Sequence, residues 1–383
     1  MRVLHINSNY VGTTLHQLMI RQLSALGIDN QVFVPTYDKN TSVIIPDENV
    51  KVVECFKKRD RFWFEYKQNK IIKAVEKIYD IKSFDLIHAY TLFTDGNCAR
   101  YLSKKYNIPY VVAVRNTDVN AFFKYRILLR KLGIKILEDA SAVFFLSPAY
   151  RDYMFQKYVP IGKKETIKTK TFIIPNGIDD FWHQNIFYGR DYEDTEYRLR
   201  RKEMRLVYAG SIDKNKNIKL IVEAMQKMKQ EGWHVTLDVI GPIREKSAYD
   251  EFKDNPVVRY IPKQPKEDLI KYYRNADIFV MPSHHETFGL VYAEAMSQGL
   301  PVIYTRGQGF DGQFKEGTGG FAVSDIDPSE LFNIITICAS YYSHLSNGAI
   351  LNSKKFKWKS ICETYEVIYK NVKNIIVTIC MFT

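Results

Sequence analysis

The sequence predicts an α/β protein of two doubly wound domains, each a parallel sheet with helices on both faces. Three observations predict it. Strand-length apolar runs alternate with helical stretches through the first 180 residues. The alternation restarts after a polar stretch at 185–203. Finally, Ala276 to Ile303 reads as strand, loop, helix, glycine stop and strand, one complete parallel βαβ unit.

The elements follow in order. Val3–Ile6 is a strand, and a helix runs from about Thr14 to Leu26 and stops at Gly27. Gln31–Pro35, Val50–Glu54, Leu86–Ala89, Tyr110–Val114 and Val143–Leu146 are strands, and Thr171–Ile174 runs into Pro175-Asn176-Gly177-Ile178-Asp179. In the second half Leu206–Gly210 is a strand, Ile218–Gln230 an amphipathic helix and Val235–Gly241 a strand. Ala276–Ser283 is a buried strand ending in a turn, with a helix starting near Thr287 and stopping at Gly299. The expected organisation is a domain at 1–180, a second at 181–355, a cleft between them, and a C-terminal helix and tail at 356–383.

Bulk properties narrow the function classes. A 383-residue chain with 46% apolar residues can bury two large cores, which excludes disorder. The N-terminal apolar run is too short for a signal peptide, and the apolar tail at 375–382 is too short to span a bilayer. Five scattered cysteines without metal-ligand spacing fit a reducing, cytoplasmic setting. The net charge of +12 divides into +10 for residues 1–184 and +2 for the remainder. A basic half suits nucleic acid, an anionic membrane surface or an acidic ligand, and no nucleic-acid-binding signature accompanies it.

The most informative stretch is His285-Glu286-Thr287-Phe288-Gly289-Leu290-Val291-Tyr292-Ala293-Glu294. A helix starting near Thr287 would present free N–H groups and a positive dipole end to an anion such as a diphosphate. Glu286 in the loop and Glu294 along the helix would then span roughly 12 Å at about 1.5 Å per residue. That distance suits a ligand with hydroxyls at both ends and phosphates in the middle, which describes a nucleotide-sugar. Glu286 would grip the sugar and Glu294 the ribose.

These motifs resemble the retaining glycosyltransferases of family 4, which have the two-domain GT-B fold. Four pieces fall in the family's order: Pro175–Asp179, Gly210-Ser211 with Lys216, Ala276–Ser283, and Glu286 with Glu294. The resemblance implies a UDP- or GDP-sugar donor held mainly by the second domain, no metal ion or other cofactor, and retention of anomeric configuration. It places Lys216 on the donor diphosphate, where a cation stabilises the departing group. It sets Gly210, Ser211, Thr287, Phe288, Gly289, Leu290 and Glu294 along the donor, with Gly12 and Asn176 contributed by the first domain. The family often has Arg at the position of Ser211, so one expected cation is absent.

In the first domain, relatives carry a glycine pair where this chain has only Gly12 in Asn7–Thr14, which is also compatible with a plain strand-to-helix turn. Many relatives have His near the reacting sugar; here Val114-Arg115-Asn116-Thr117-Asp118 offers Arg115 and Asp118, as contacts to donor sugar or acceptor or as an internal pair or cap. His88 at the end of its strand would line the acceptor cleft or sit in the core. Arg244 and Lys263 lie on loops that flank the base in similar enzymes, and Gly307–Gly312 matches a glycine-rich turn beside the sugar.

Lys-, Ile-, Asn- and Tyr-rich usage fits a transferase of bacterial surface-polysaccharide synthesis, and the basic first half suits a glycan or lipid-linked glycan acceptor. Phe56–Phe64 and Phe122–Lys131 mix cations with aromatics, which suits an anionic membrane surface at the cytoplasmic side or ordinary solvated helices. A sugar-nucleotide epimerase of the same fold and a non-catalytic sugar-nucleotide-binding subunit are the rival readings.

Overall fold

The structure, a computed structural model, describes residues 1–38, 41 and 47–382, with side chains through residue 374. The chain divides into two compact units: 1–146, 150–177 and 358–383 form the first, and 147–149 with 178–357 form the second. The divisions fall at 177/178 and 357/358, a few residues from the expected 180/181 and 355/356.

The first unit is a seven-stranded sheet of β1 (Arg2–Ile6), β2 (Asp29–Thr36), β3 (Val50–Glu54), β4 (Leu86–Ala89), β5 (Tyr110–Val114), β6 (Ala142–Phe145) and β7 (Thr171–Ile173), in the order β3-β2-β1-β4-β5-β6-β7. Every pairing is parallel. Alternate side chains of each strand leave on opposite faces, so Leu4 and Ile6 join one core and Val3 the other. The second core is closed by the C-terminal helix Trp358–Phe382, which buries Trp358, Ile361, Tyr365 and Tyr369 against Val3, Met19, Leu23 and Phe144. Gly177 makes this possible: a Cβ there would stand 2.5 Å from the Trp358 ring. The apolar tail singled out at 375–382 continues this helix, and its side chains lie outside those described.

The second unit is a six-stranded sheet of β8 (Glu203–Ala209), β9 (His234–Ile240), β10 (Val258–Ile261), β11 (Ile278–Met281), β12 (Val302–Thr305) and β13 (Gly320–Val323), ordered β10-β9-β8-β11-β12-β13. It too is wholly parallel. Both sheets grow outward from a first strand and then cross to its other side. The order therefore reverses between β1 and β4 in one unit and between β8 and β11 in the other. Loops leaving the carboxyl ends of such neighbours diverge and open a crevice, the usual ligand position in doubly wound sheets. In the second unit that crevice lies between the loop after β8, which carries Ser211 and Lys216, and the loop after β11, which carries Glu286.

Candidate active site

The loop after β8 is shaped by polar side chains. The Tyr208 hydroxyl donates to the Ser211 carbonyl at 2.6 Å, and Ser211 Oγ donates to Asp213 Oδ2 at 2.6 Å. Asp213 Oδ1 caps the turn at Lys216 N, and Asn217 takes the left-handed conformation (φ 56°) before the helix Ile218–Gln230. Backbone approach is tight here. A Cβ on Gly241 would stand 1.8 Å from the Gly210 carbonyl oxygen, which lets the loops after β8 and β9 pack directly on each other.

The loop after β11 is latched to that turn. His284 N donates to Asn215 O, His285 N to Asn215 Oδ1, and Asn215 Nδ2 to His285 O. Asn217 Nδ2 also holds the Pro282 and Asp325 carbonyls. The latch brings Glu286 Oε2 to 2.6 Å from Lys216 Nζ, with both side chains mostly buried. From the other side Glu286 N donates to Gln308 Oε1 at 3.0 Å, and Gly309 N donates to Glu286 O at 2.9 Å. A Cβ on Gly309 would lie 1.9 Å from the Thr287 carbonyl, so only glycine admits this contact.

The helix begins later than expected. Gly289 has φ +77°, outside the right-handed helical region, and the helix spans Leu290–Ser297. Thr287 N is turned instead onto Glu286 Oε1 at 3.0 Å. The unsatisfied N–H groups of the first turn thus start at Leu290. Phe288 also departs from the expected donor contact: its ring is buried between Phe310 and Phe356, each 5.8 Å away, where it anchors the loop. Glu294 projects from the helix half-buried. Burial first, and Asp179 second, push its carboxyl up to about 7 against the opposing pull of Lys266. Asp179 and Lys266 are themselves paired at 2.8 Å.

Lys216, Glu286, Ser211, Gly210, Thr287, Gly289, Leu290 and Glu294 thus share the switch point of the second unit or the helix that opens from it. Gly12, Asn176, His88, Arg115 and Asp118 belong to the first unit. Gly12 is exposed with φ +85°, in the turn between β1 and the helix Leu15–Ala25. Asn176 is buried next to Gly177.

Asp118 and His88 are corrected by their surroundings. Asp118 is buried, and its carboxylate accepts from Leu92 N, Phe93 N and Arg115 N at 2.9–3.3 Å. It braces the loops after β4 and β5, so its oxygens are committed to backbone. Burial pushes its carboxyl up to about 6 against those bonds. His88 is fully buried, stacked on Tyr90 at 4.2 Å with Nδ1 2.5 Å from the Tyr369 hydroxyl, and it belongs to the core rather than to an acceptor-facing surface. Arg115 stays half-buried at the end of β5 and donates from Nε to the Tyr90 carbonyl at 3.0 Å.

Sequence reasoning missed Asn215, Asn217 and Gln308, which hold Glu286 and its loop, and the Asp179–Lys266 pair near Glu294. Asn215 and Asn217 flank Lys216 in a turn whose composition alone reads as solvated. Gln308 sat inside the glycine-rich turn already singled out, which was its only signal.

Two doubly wound parallel units, with a lysine–glutamate pair at the switch point of the second, have the architecture of the GT-B class. Solved structures agree in fold. Sucrose-phosphate synthase from Thermosynechococcus elongatus superposes with a TM-score of 0.74 at 20% identity, covering 97% of this chain and 99% of that one. The apo form of the lipopolysaccharide outer core galactosyltransferase WaaB gives 0.74 at 13% identity over 97% and 99%. Anabaena HepE in complex with UDP and glucose gives 0.65 at 16% identity over 97% and 100%. Residues 11–180 match the family described as Glycosyltransferase Family 4, and residues 190–338 match Glycosyl transferases group 1. The chain belongs to glycosyltransferase family 4. Among its curated relatives, a probable sucrose-phosphate synthase from Thermosipho melanesiensis is 26% identical over 69% of this chain and 66% of its own length. The capsular polysaccharide biosynthesis glycosyltransferase CapM of Staphylococcus aureus is 31% identical over 61% and 60%. The chain therefore spans about two thirds or less of these relatives' length.

Proposed function

We propose that this protein transfers a sugar from a nucleoside-diphosphate sugar to an acceptor hydroxyl with retention of configuration and without a metal ion. The observation that carries this reading is the Lys216–Glu286 pair at the second switch point, with Glu294 eight residues further on. Lys216 and Glu286 satisfy each other's charge at 2.6 Å. A bound donor would replace that pairing: its diphosphate oxygens take Lys216 and the N–H groups from Leu290 onward, its sugar hydroxyls take Glu286, and its ribose hydroxyls take Glu294. The HepE structures with UDP and glucose support a uridine donor within the same fold.

The step itself needs no protein nucleophile in this reading. The bond from the sugar's anomeric carbon to the diphosphate breaks as the bond to the acceptor oxygen forms on the same face, and the acceptor proton passes to the leaving phosphate. Positioning and charge stabilisation are what the chain supplies. The CapM relative, named for capsular polysaccharide biosynthesis, supports a surface-polysaccharide role; a glycan or lipid-linked glycan acceptor is part of the proposal. Membrane contact rests on Phe62, Trp63, Tyr125, Ile127 and Leu128, which are exposed on the two cation-rich loops of the first unit. No helix among the described residues is long and apolar enough to cross a membrane.

The test is a panel of UDP- and GDP-sugars incubated with the purified chain, with chelator and without, and followed by NMR of the anomeric proton. Release of nucleoside diphosphate with a product of unchanged anomeric configuration, insensitive to chelator, supports the proposal. A reversible change of the donor sugar without nucleotide release supports an epimerase, and binding without turnover supports a non-catalytic subunit.

A further inference from the structure

The first unit holds a cavity of about 530 Å³ at the carboxyl ends of its strands, and its wall carries three cations, Arg61, Lys67 and Arg126. They come from separate segments: Arg61 precedes the helix Phe64–Ile78, Lys67 lies within it, and Arg126 follows β5 by twelve residues. Each is held against an aromatic ring, Arg61 over Tyr37 at 5.7 Å, Lys67 over Phe56 at 5.2 Å and Arg126 over Phe122 at 5.2 Å. Lys67 Nζ reaches Thr94 Oγ1 at 3.3 Å. Among the described residues none of the three forms an ion pair with a carboxylate.

Among the described residues the nearby acids Asp118 and Asp95 accept their hydrogen bonds from other groups. Asp118 spends its oxygens on three backbone N–H groups, Asp95 is buried and takes Ser8 N and Oγ, and Asp38 is at the exposed edge. The Lys67 ammonium is held below its ordinary range, first by burial and then by repulsion from Arg61 and Arg126, against the pull of Asp95. Holding three like charges around one cavity, with no described carboxylate ion-paired to any of them and only the through-space pull of Asp95 on Lys67 opposing their repulsion, costs free energy that an anion entering the cavity would recover.

We infer that this cavity seats a phosphate-type group carried by the acceptor, with Arg61, Lys67 and Arg126 as its ligands and the aromatic wall packing on the attached sugar or carrier. Guanidinium forks suit phosphate oxygens, and the ammonium adds a third charge. The inference rests on the transferase reading, since it assigns the first unit to the acceptor. A phosphorylated saccharide and a lipid carrier's diphosphate offer the same chemistry, so both are probed.

The experiment titrates the full chain with glucose, glucose 6-phosphate and farnesyl diphosphate at fixed ionic strength, and repeats this with Lys67→Met and Arg126→Met. Circular dichroism checks that each variant is folded. One or both phosphate compounds should bind about tenfold or more tighter than glucose, and each variant should lose most of that margin. Preference for glucose 6-phosphate assigns the anion to the saccharide, and preference for farnesyl diphosphate assigns it to a lipid carrier. Equal affinity for all three compounds, or a preference that survives both variants, overturns the inference. Thermal stabilisation of the wild-type chain by UDP- and GDP-sugars, measured alongside, reports separately on the transferase reading.

Discussion

Glu286 Oε2 lies 2.6 Å from Lys216 Nζ, across seventy residues of sequence and between the two strands where the sheet order reverses. Each side chain holds the other. If the donor's sugar and diphosphate displace that contact, removing either partner should cost about 10²–10³-fold in turnover, the scale seen for one transition-state contact. Glu286→Gln and Lys216→Ala should each do so with the fold intact. The double variant should fall well short of the product of the two losses, because neighbours in one network do not act independently. Donor consumption measured by nucleotide release checks this, and full additivity would separate the two roles.

Glu294 supplies a pH signature. Its carboxyl is raised to about 7 by burial, while ribose hydroxyls favour the ionised form. Donor binding should therefore release a proton, and affinity should rise from pH 5.5 to 8 by up to about tenfold per unit below 7. Without ligand the sign is opposite for stability: Glu294 costs the fold progressively as pH rises from about 4.5 through 7. Glu294→Gln should thus flatten the binding profile and gain stability chiefly above pH 7. Calorimetric titration in two buffers of different ionisation heat reads the proton directly.

The architecture was legible because buried parallel strands announce themselves as short apolar runs. The helix Ile218–Gln230 and the strands Val50–Glu54, Leu86–Ala89 and Tyr110–Val114 have the bounds read from sequence. The helix at Leu290 was placed early because Thr287 and Phe288 look helical by composition. Only the left-handed Gly289 and the Phe310–Phe356 pocket around Phe288 reveal otherwise, and both are tertiary facts. His88 and Asp118 lie at or just after strand ends, where ligands gather, so position favoured function. Their burial depended on Tyr369, 281 residues away, and on backbone groups of another loop.

The first unit's core holds three histidines. Burial is the main cause that pushes His5 down to about 4, His16 down to about 3 and His88 well below the ordinary histidine range. Their contribution to stability is complete above about pH 6.5 and is lost as pH falls toward 4, because only the unfolded chain takes up those protons. Asp95 and Asp118, raised to about 7 and about 6, act in the opposite sense over the same range. Net stability is therefore a poor probe, and histidine ring NMR is a direct one. The three rings should remain neutral between pH 7.5 and 5.5. Protonation of any of them near 6.5 would contradict the buried arrangement.

Backbone proximity makes a third class of expectation. Gly309→Ala would drive a methyl group into the Thr287 carbonyl, so it should destabilise the protein by about 1–3 kcal/mol and abolish donor binding through Glu286. Gly162 lies in the helix Ile161–Lys168 with nothing within 4 Å of a new Cβ, and Gly162→Ala should stabilise by about 0.5–1 kcal/mol. Thermal melts of both variants check the pair.

Calorimetric affinity of the wild type and Glu294→Ala for the best nucleotide-sugar of the panel bears most directly on donor recognition by the second switch point. A weakening of about tenfold or more, with the variant still folded, is the expected result. Undiminished affinity in Glu294→Ala would contradict it.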